Sequence, residues 1–182
     1  MSTNTLVVAF LIASTGAVRA AEWTSPAEVQ HEFRRAVAYR ARLAGEFLVV
    51  EATHEPGWHT CAMDNKRRAE EKLAGKQSLG IDTPTGITVT QGLEVVGPWH
   101  QSTPKDFSKP ELHWFTWGFE GQALFVAKVR RTGAGPARVA IGGQACTDTI
   151  CKRVEVELSL PLSGAKVSGG GNVDWKALVQ VR

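Results

Sequence analysis

Cys146 and Cys151 enclose only Thr147-Asp148-Thr149-Ile150. Two thiols this close can form a structural staple, a dithiol–disulfide pair that opens and closes, or two ligands of a soft metal. A bridge across so short a loop restrains little of the unfolded chain, about 2 kcal/mol on chain entropy. A staple would gain more by joining distant strands, whereas a local pair at a loop tip is open to a partner's thiol. In exchange, a thiolate attacks a disulfide sulfur to give a mixed disulfide, which a second thiol resolves. Lys152 and Arg153 adjoin Cys151 and would favour its thiolate, unless they are simply exposed residues at a strand start; Asp148, inside the loop, acts the other way.

Three cysteines leave at least one without an intramolecular partner, and Cys61 is the odd one. It reads as a small buried hydrophobe or as a third redox thiol. His54, His59 and Cys61, joined to the distant pair, would make a soft copper or zinc site, but their spacing matches no closed zinc motif. No metal and no cofactor is expected. His59 reads as a structural residue beside a turn, and His100 and His113 as residues in or near the core.

The elements that must position the pair are strands. Phe33–Leu43 and the β-branched run Phe47–Thr53, either side of Ala44-Gly45, predict a hairpin ended by Glu55-Pro56-Gly57. Lys66–Lys76 is the one helical stretch, rich in Ala, Glu, Lys and Arg, with Gly75 as its stop. Short strands follow at Gly86–Thr90 and Leu93–Val96, with loops at Gly97-Pro98 and Pro104–Pro110. Leu112–Phe119 and Gln122–Arg131 also read as strands. Arg138–Ala145 and Arg153–Leu160 form the last clear pair, the second alternating Val154, Val156, Leu158 and Leu160 against Glu155 and Glu157. Ser168–Gly171 reads as flexible, and Val173–Val181 as a final element of uncertain type. This rhythm predicts an all-β sandwich with one short helical excursion. No strand–helix–strand rhythm and no Cys-x-x-Cys motif is present, which disfavours a thioredoxin fold. Trp99, Trp114, Phe115, Trp117 and Phe119 are core aromatics on this reading, or a glycan-binding platform if exposed.

The 182 residues suffice for one domain with its own core, and 18 glycines with 6 tryptophans suit a turn-rich β domain. A net charge of +3 is too small and scattered for a nucleic-acid partner, and the basic run Lys66–Arg68 is answered by Glu70 and Glu71. Leu6–Ile12 is apolar but too short to cross a bilayer, and Val18-Arg19-Ala20 offers a signal-peptidase site. The expected organisation is a leader over residues 1–20, a linker or first short element over 21–32, and the sandwich over 33–182. Export places the thiols in an oxidising compartment.

Gln144-Ala145-Cys146-Thr147-Asp148-Thr149-Ile150-Cys151 resembles the cysteine motif of the N-terminal domain of the DsbD family of disulfide reductases. Pro56-Gly57-Trp58-His59-Thr60 is similar to the segment that closes an early strand in that family, and Thr83-Pro84-Thr85 before a strand fits its pattern. The likeness covers roughly Phe33–Leu162. It implies an immunoglobulin-like β-sandwich with Cys146 and Cys151 as the redox pair. It also implies a periplasmic disulfide-reductase component whose partners are periplasmic thiol and disulfide proteins. Lys152-Arg153 stands where the family has prolines, and Cys61 where it has an aromatic residue. Neither the family's membrane domain nor its thioredoxin-like domain follows, so the likeness implies a membrane-embedded electron donor in trans. The alternative is a non-catalytic exported binding module with a structural disulfide.

Overall fold

The computed structural model describes residues 22–74, 82–162 and 173–182. The expected leader and its Ala20 cleavage site, the Gly75 stop and the Gly169–Gly171 cluster lie outside the described residues. In chain order the strands are β1 (Ala27–His31), β2 (Arg34–Ala44), β3 (Phe47–His54) and β4 (His59–Cys61). After helix α1 (Asn65–Lys72) come β5 (Gly86–Thr90), β6 (Leu93–Ser102), β7 (Lys105–Asp106), β8 (Trp117–Phe119) and β9 (Gln122–Arg131). The last are β10 (Ala137–Cys146), β11 (Cys151–Leu160) and β12 (Leu178–Gln180).

Two antiparallel sheets pack face to face as an immunoglobulin-like β-sandwich. One has the order β1-β2-β3-β9-β6-β12; the other runs β11-β10-β4-β8-β7, with β5 also paired to β10. Period-two alternation buries one side of each strand. Val37, Tyr39, Leu48, Val50 and Phe125 from the first sheet meet Val139, Ile141, Val154 and Leu158 from the second. Each such side chain contributes about 1.5–3 kcal/mol by leaving water.

The hairpin of β2 and β3 turns at Gly45, whose φ of +61° suits glycine. Residues Ala27–His31, within the stretch read as linker or first short element, form a strand paired to β2. Gly97-Pro98 is not a loop. β6 runs through it, because a bulge between Val95 and Trp99 lets Pro98, which has no N–H to donate, sit in the strand unpaired. The Leu112–Phe119 strand is also shorter than expected. Pro110 starts a 3₁₀ turn over Pro110–Leu112, His113 takes a left-handed φ of +53°, and only Trp117–Phe119 pairs in a sheet. His113 is exposed rather than near the core, and His100 is half-buried. Of the expected aromatic cluster, Phe119 is buried and Trp99, Trp114, Phe115 and Trp117 are half-buried.

Helix α1 is short, and its role is to present buried polar groups. Asn65 Oδ1 accepts the Trp117 N–H at 2.7 Å, and its Nδ2 donates to Thr116 Oγ1 at 3.1 Å. Asp64, just before the helix, accepts from Arg68 Nε at 2.8 Å and Gln101 Nε2 at 2.7 Å. Burial alone would raise the Asp64 pKa. The hydrogen bonds from Arg68 and Gln101, with the Arg68 charge, outweigh it and hold the carboxyl below its ordinary value.

Two outcomes follow. A methyl group on Gly118 would stand 2.2 Å from the Thr60 carbonyl oxygen and 3.3 Å from Cys61 Cα, backbone atoms that cannot turn aside. Gly118→Ala is expected to cost at least about 2 kcal/mol, read as a lowered urea midpoint. Because the folded-state pKa of Asp64 is depressed, its stabilisation is present above the unfolded value and is lost as pH falls through the folded one. The stability gap between wild type and Asp64→Asn should therefore be widest near neutrality and close below pH 3.8, as measured by denaturation at a series of pH values.

Candidate functional site

β10 and β11 pair without a bulge from Ala137↔Leu160 to Cys146↔Cys151. The pairing puts Val139 opposite Leu158 and Ile141 opposite Val156 on the core side. By the same alternation Cys146, Cys151, Gln144 and Arg153 share the other side. The two cysteines are bonded, with Cα atoms 4.0 Å apart, slightly closer than the ~4.4–6.8 Å usual for such bridges. A tight turn closes the tip. The Thr147 N–H donates to Ile150 O at 2.8 Å, while Thr147 Oγ1 accepts from the Thr149 and Ile150 N–H groups, both at 3.2 Å.

The two sulfurs are not equivalent. Cys146 is 2% exposed, whereas Cys151 lies at the surface. The difference arises because β4 pairs with β10 on the side away from β11, setting His59 opposite Cys146, while β11 is the sheet's edge strand.

The outer face around Cys146 is covered by two segments. Residues 82–85 are pinned along β10 and β4: the Thr83 N–H donates to Gln144 Oε1 at 2.8 Å, and Thr85 Oγ1 donates to Cys61 O at 2.6 Å. Gly143, with φ +144°, permits this approach; a side chain there would start 3.1 Å from Pro84 O. The Gln144 and Thr83-Pro84-Thr85 motifs are thus one structural unit. Residues 106–116 form the second cover, knotted by Phe107 N–H to Thr116 O at 2.9 Å and Lys109 N–H to Trp114 O at 2.7 Å. Between the segments and the hairpin tip opens a cleft of about 180 Å³, lined among others by His59, Asp82, Phe107, Trp114 and both cysteines. Phe107 stacks on the His59 ring at 4.7 Å between centroids.

Asp82 is the residue that sequence reasoning missed. It is 7% exposed, and its Oδ2 accepts the indole N–H of Trp114 at 2.7 Å. A carboxylate oxygen and the two sulfurs all lie within 4.8 Å of one another. Such closeness resembles a metal site, but with both sulfurs bonded to each other the site offers one carboxylate and no thiolate. Among the described residues, His54, His59 and Cys61 are not gathered with the pair into a ligand group. His54 is buried, with Nδ1 beside Gly121 O at 2.9 Å and Nε2 beside Thr60 Oγ1 at 2.8 Å.

Electrostatics follow burial. Burial lowers the His54 and His59 pKa values, with the carboxylates of Asp82 and Asp148 pulling His59 partly back. Burial pushes the Cys61 thiol up to about 12, and the Asp82 charge adds to it, which fits an inert core thiol rather than a third redox group. Asp148 pairs with Lys109 at 3.7 Å, but its side chain is 93% exposed, so water screens the pair. Lys152 and Arg153 sit beside Cys151, and Arg153 is engaged with Glu155 at 3.1 Å.

The fold and site define a class: an all-β, immunoglobulin-like sandwich with a cystine at the tip of its late hairpin, one sulfur buried and one exposed. Among solved structures, the N-terminal periplasmic domain of ScsB from Proteus mirabilis is similar, with a TM-score of 0.55 and 16% identity. The match covers 79% of this chain and 52% of that one, so the chain spans about half the length of that structure. The N-terminal domain of DsbD from Neisseria meningitidis, in its reduced form, aligns with a TM-score of 0.48 and 11% identity over 81% of this chain and 91% of that one. No protein-family model and no curated protein matches the chain.

A disulfide that closes so short a loop holds little of the fold together. Reduction, or the double change Cys146→Ala with Cys151→Ala, is expected to leave the sandwich folded and to lower its stability by only about 2 kcal/mol. Urea denaturation with and without reductant measures this.

Proposed function

We propose that the protein is a periplasmic thiol–disulfide exchange module, exported by a leader over residues 1–20, that passes electrons through Cys146 and Cys151 to or from partner proteins. The observation that carries this reading is the asymmetry of the cystine. Cys151 is at the surface on an edge strand, and Cys146 is buried behind it. The DsbD-like cysteine motif, the sandwich fold and the similarity to a periplasmic ScsB domain support it.

The asymmetry assigns roles. A partner thiolate meets Cys151 and forms the mixed disulfide there, and the bond to Cys146 breaks with its electron pair left on the Cys146 sulfur. In the opposite direction the Cys146 thiolate attacks the Cys151–partner disulfide, re-forms the internal bond and releases the partner as a thiolate. No cofactor takes part. On this reading the electron donor is a membrane-embedded protein.

Trapping tests the reading. Cys146→Ser leaves the exposed sulfur without its resolving thiol and should accumulate mixed disulfides with periplasmic thiol proteins. Cys151→Ser, which leaves only the buried sulfur, should capture far less. Equal, negligible capture by both, together with a reduction potential far below about −300 mV, would mark an inert staple in a binding module.

A further inference from the structure

When the disulfide opens at Cys151, a negative charge is left on a sulfur that water barely reaches, and a buried carboxylate lies beside it. We propose that Asp82 is the positioning residue that governs the proton of this pair: it repels the thiolate left on Cys146 and so drives its protonation as electrons arrive. The inference rests on the exchange reading above and adds to it a residue outside the cysteine motif.

The placement is built rather than incidental. Asp82 is held from both ends, by the Thr83 N–H bonded to Gln144 Oε1 and by the indole N–H of Trp114 on its own Oδ2. Gln144 is two residues before Cys146 on the same face of β10, so the strand that carries the sulfur also carries the anchor of the carboxylate. The other charged or titratable groups around the pair are His59 and Cys61 on β4, Lys109 from the covering segment, Asp148 in the turn, and Lys152 and Arg153 after Cys151. Glu120 acts on His59 from beyond them. Burial keeps His59 below its ordinary pKa and Cys61 protonated. Lys109 is spent on the exposed Asp148. Asp82 is the buried charge whose oxygen is grouped with the two sulfurs.

A dithiol donor supplies both electrons. Its thiolate attacks Cys151, the Cys146–Cys151 bond breaks, a donor–Cys151 disulfide forms, and the Cys146 thiolate takes a proton. The donor's second thiolate then closes on its own sulfur and releases Cys151 as a thiolate, which is protonated in turn. The protein gains two electrons and two protons, and the donor leaves as its disulfide. A like charge beside a thiol raises the pH at which the thiolate forms. It also makes that thiolate a poorer leaving group.

The test compares wild type with Asp82→Asn, which keeps the shape and an acceptor for the Trp114 N–H but removes the charge. Reduced protein is alkylated with iodoacetamide across a pH series, and Cys146 and Cys151 are followed separately by mass spectrometry. The Cys146 midpoint is expected to fall by about one to three pH units in Asp82→Asn. Opening of the oxidised protein by dithiothreitol at neutral pH should become about threefold faster per unit of that fall. Asp148→Asn, which removes an exposed carboxylate, should shift the midpoint far less. Circular dichroism confirms that each variant is folded, and Asp82→Ser, also uncharged and smaller, replaces Asp82→Asn if the latter is not. Superimposed profiles for wild type and the uncharged variant would overturn the proposal, leaving Asp82 as an anchor for Trp114. A folded wild type whose disulfide resists dithiothreitol would instead overturn the exchange reading on which it stands.

Discussion

The register between β10 and β11 is the constraint on which the site depends. Side chains alternate strictly, so a slip of one residue would move Val154, Val156, Leu158 and Leu160 out of the core and expose several large apolar groups at once. The cost of that slip, a few kcal/mol for each displaced side chain, is far larger than the contribution of the bridge itself. The core therefore sets Cys146 against Cys151, and the disulfide forms because the two sulfurs are already opposed. A pair positioned in this way can open without releasing the fold, which is what a reversible thiol pair requires and a staple does not.

The same sheet supplies the asymmetry. β10 is paired on both sides near its end, by β11 and β4, while β11 has a neighbour on one side only. One sulfur is consequently enclosed and its partner is not. The covering segments reinforce this from elsewhere in the chain: residues 82–85 after α1, and residues 106–116 between β7 and β8. Both are tied by side-chain hydrogen bonds rather than by long ladders, through Gln144, Asn65, Trp114 and Ser108. The polar residues of the short helix are thereby linked to the cleft: Asn65 holds Thr116 and Trp117, and Thr116 and Trp114 line or border the cleft.

How much of this the sequence disclosed follows from which interactions are local. The hairpins of β2 with β3 and of β10 with β11 were legible because alternation and a turn signal coincide within one stretch, and the cysteine pair was legible because its members are five positions apart. The passage of β6 through Pro98 was not, since a proline normally ends a ladder and the bulge that accommodates it depends on the partner strand β9. The stretch from Leu112 to Thr116 has strand composition but takes a turn set by Pro110, an instance of local chain chemistry overriding propensity. Asp82 could not be seen, because the adjoining Thr83-Pro84-Thr85 motif marks the segment but not where the carboxylate before it is carried. It reaches the sulfurs only through Gln144 and Trp114, 62 and 32 positions away.

That distance also explains why the cysteine motif alone underdetermines the chemistry. The motif fixes two sulfurs at a hairpin tip, and its flanking Lys152 and Arg153 suggest a thiolate favoured by positive charge. In the folded protein alternation turns Lys152 to the opposite face of β11 from Cys151, and Arg153 is exposed and engaged with Glu155, where water screens its charge. The buried sulfur instead lies close to a carboxylate, in surroundings where a charge acts over a few ångströms with little attenuation. The carboxylate is thus near both members of the pair, and what separates them is exposure: the outer sulfur is solvated, whereas on the proposal above the enclosed one is pressed to hold its proton. On the proposed roles a partner meets the pair at its outer sulfur, and full reduction leaves one electron and one proton on each of the two.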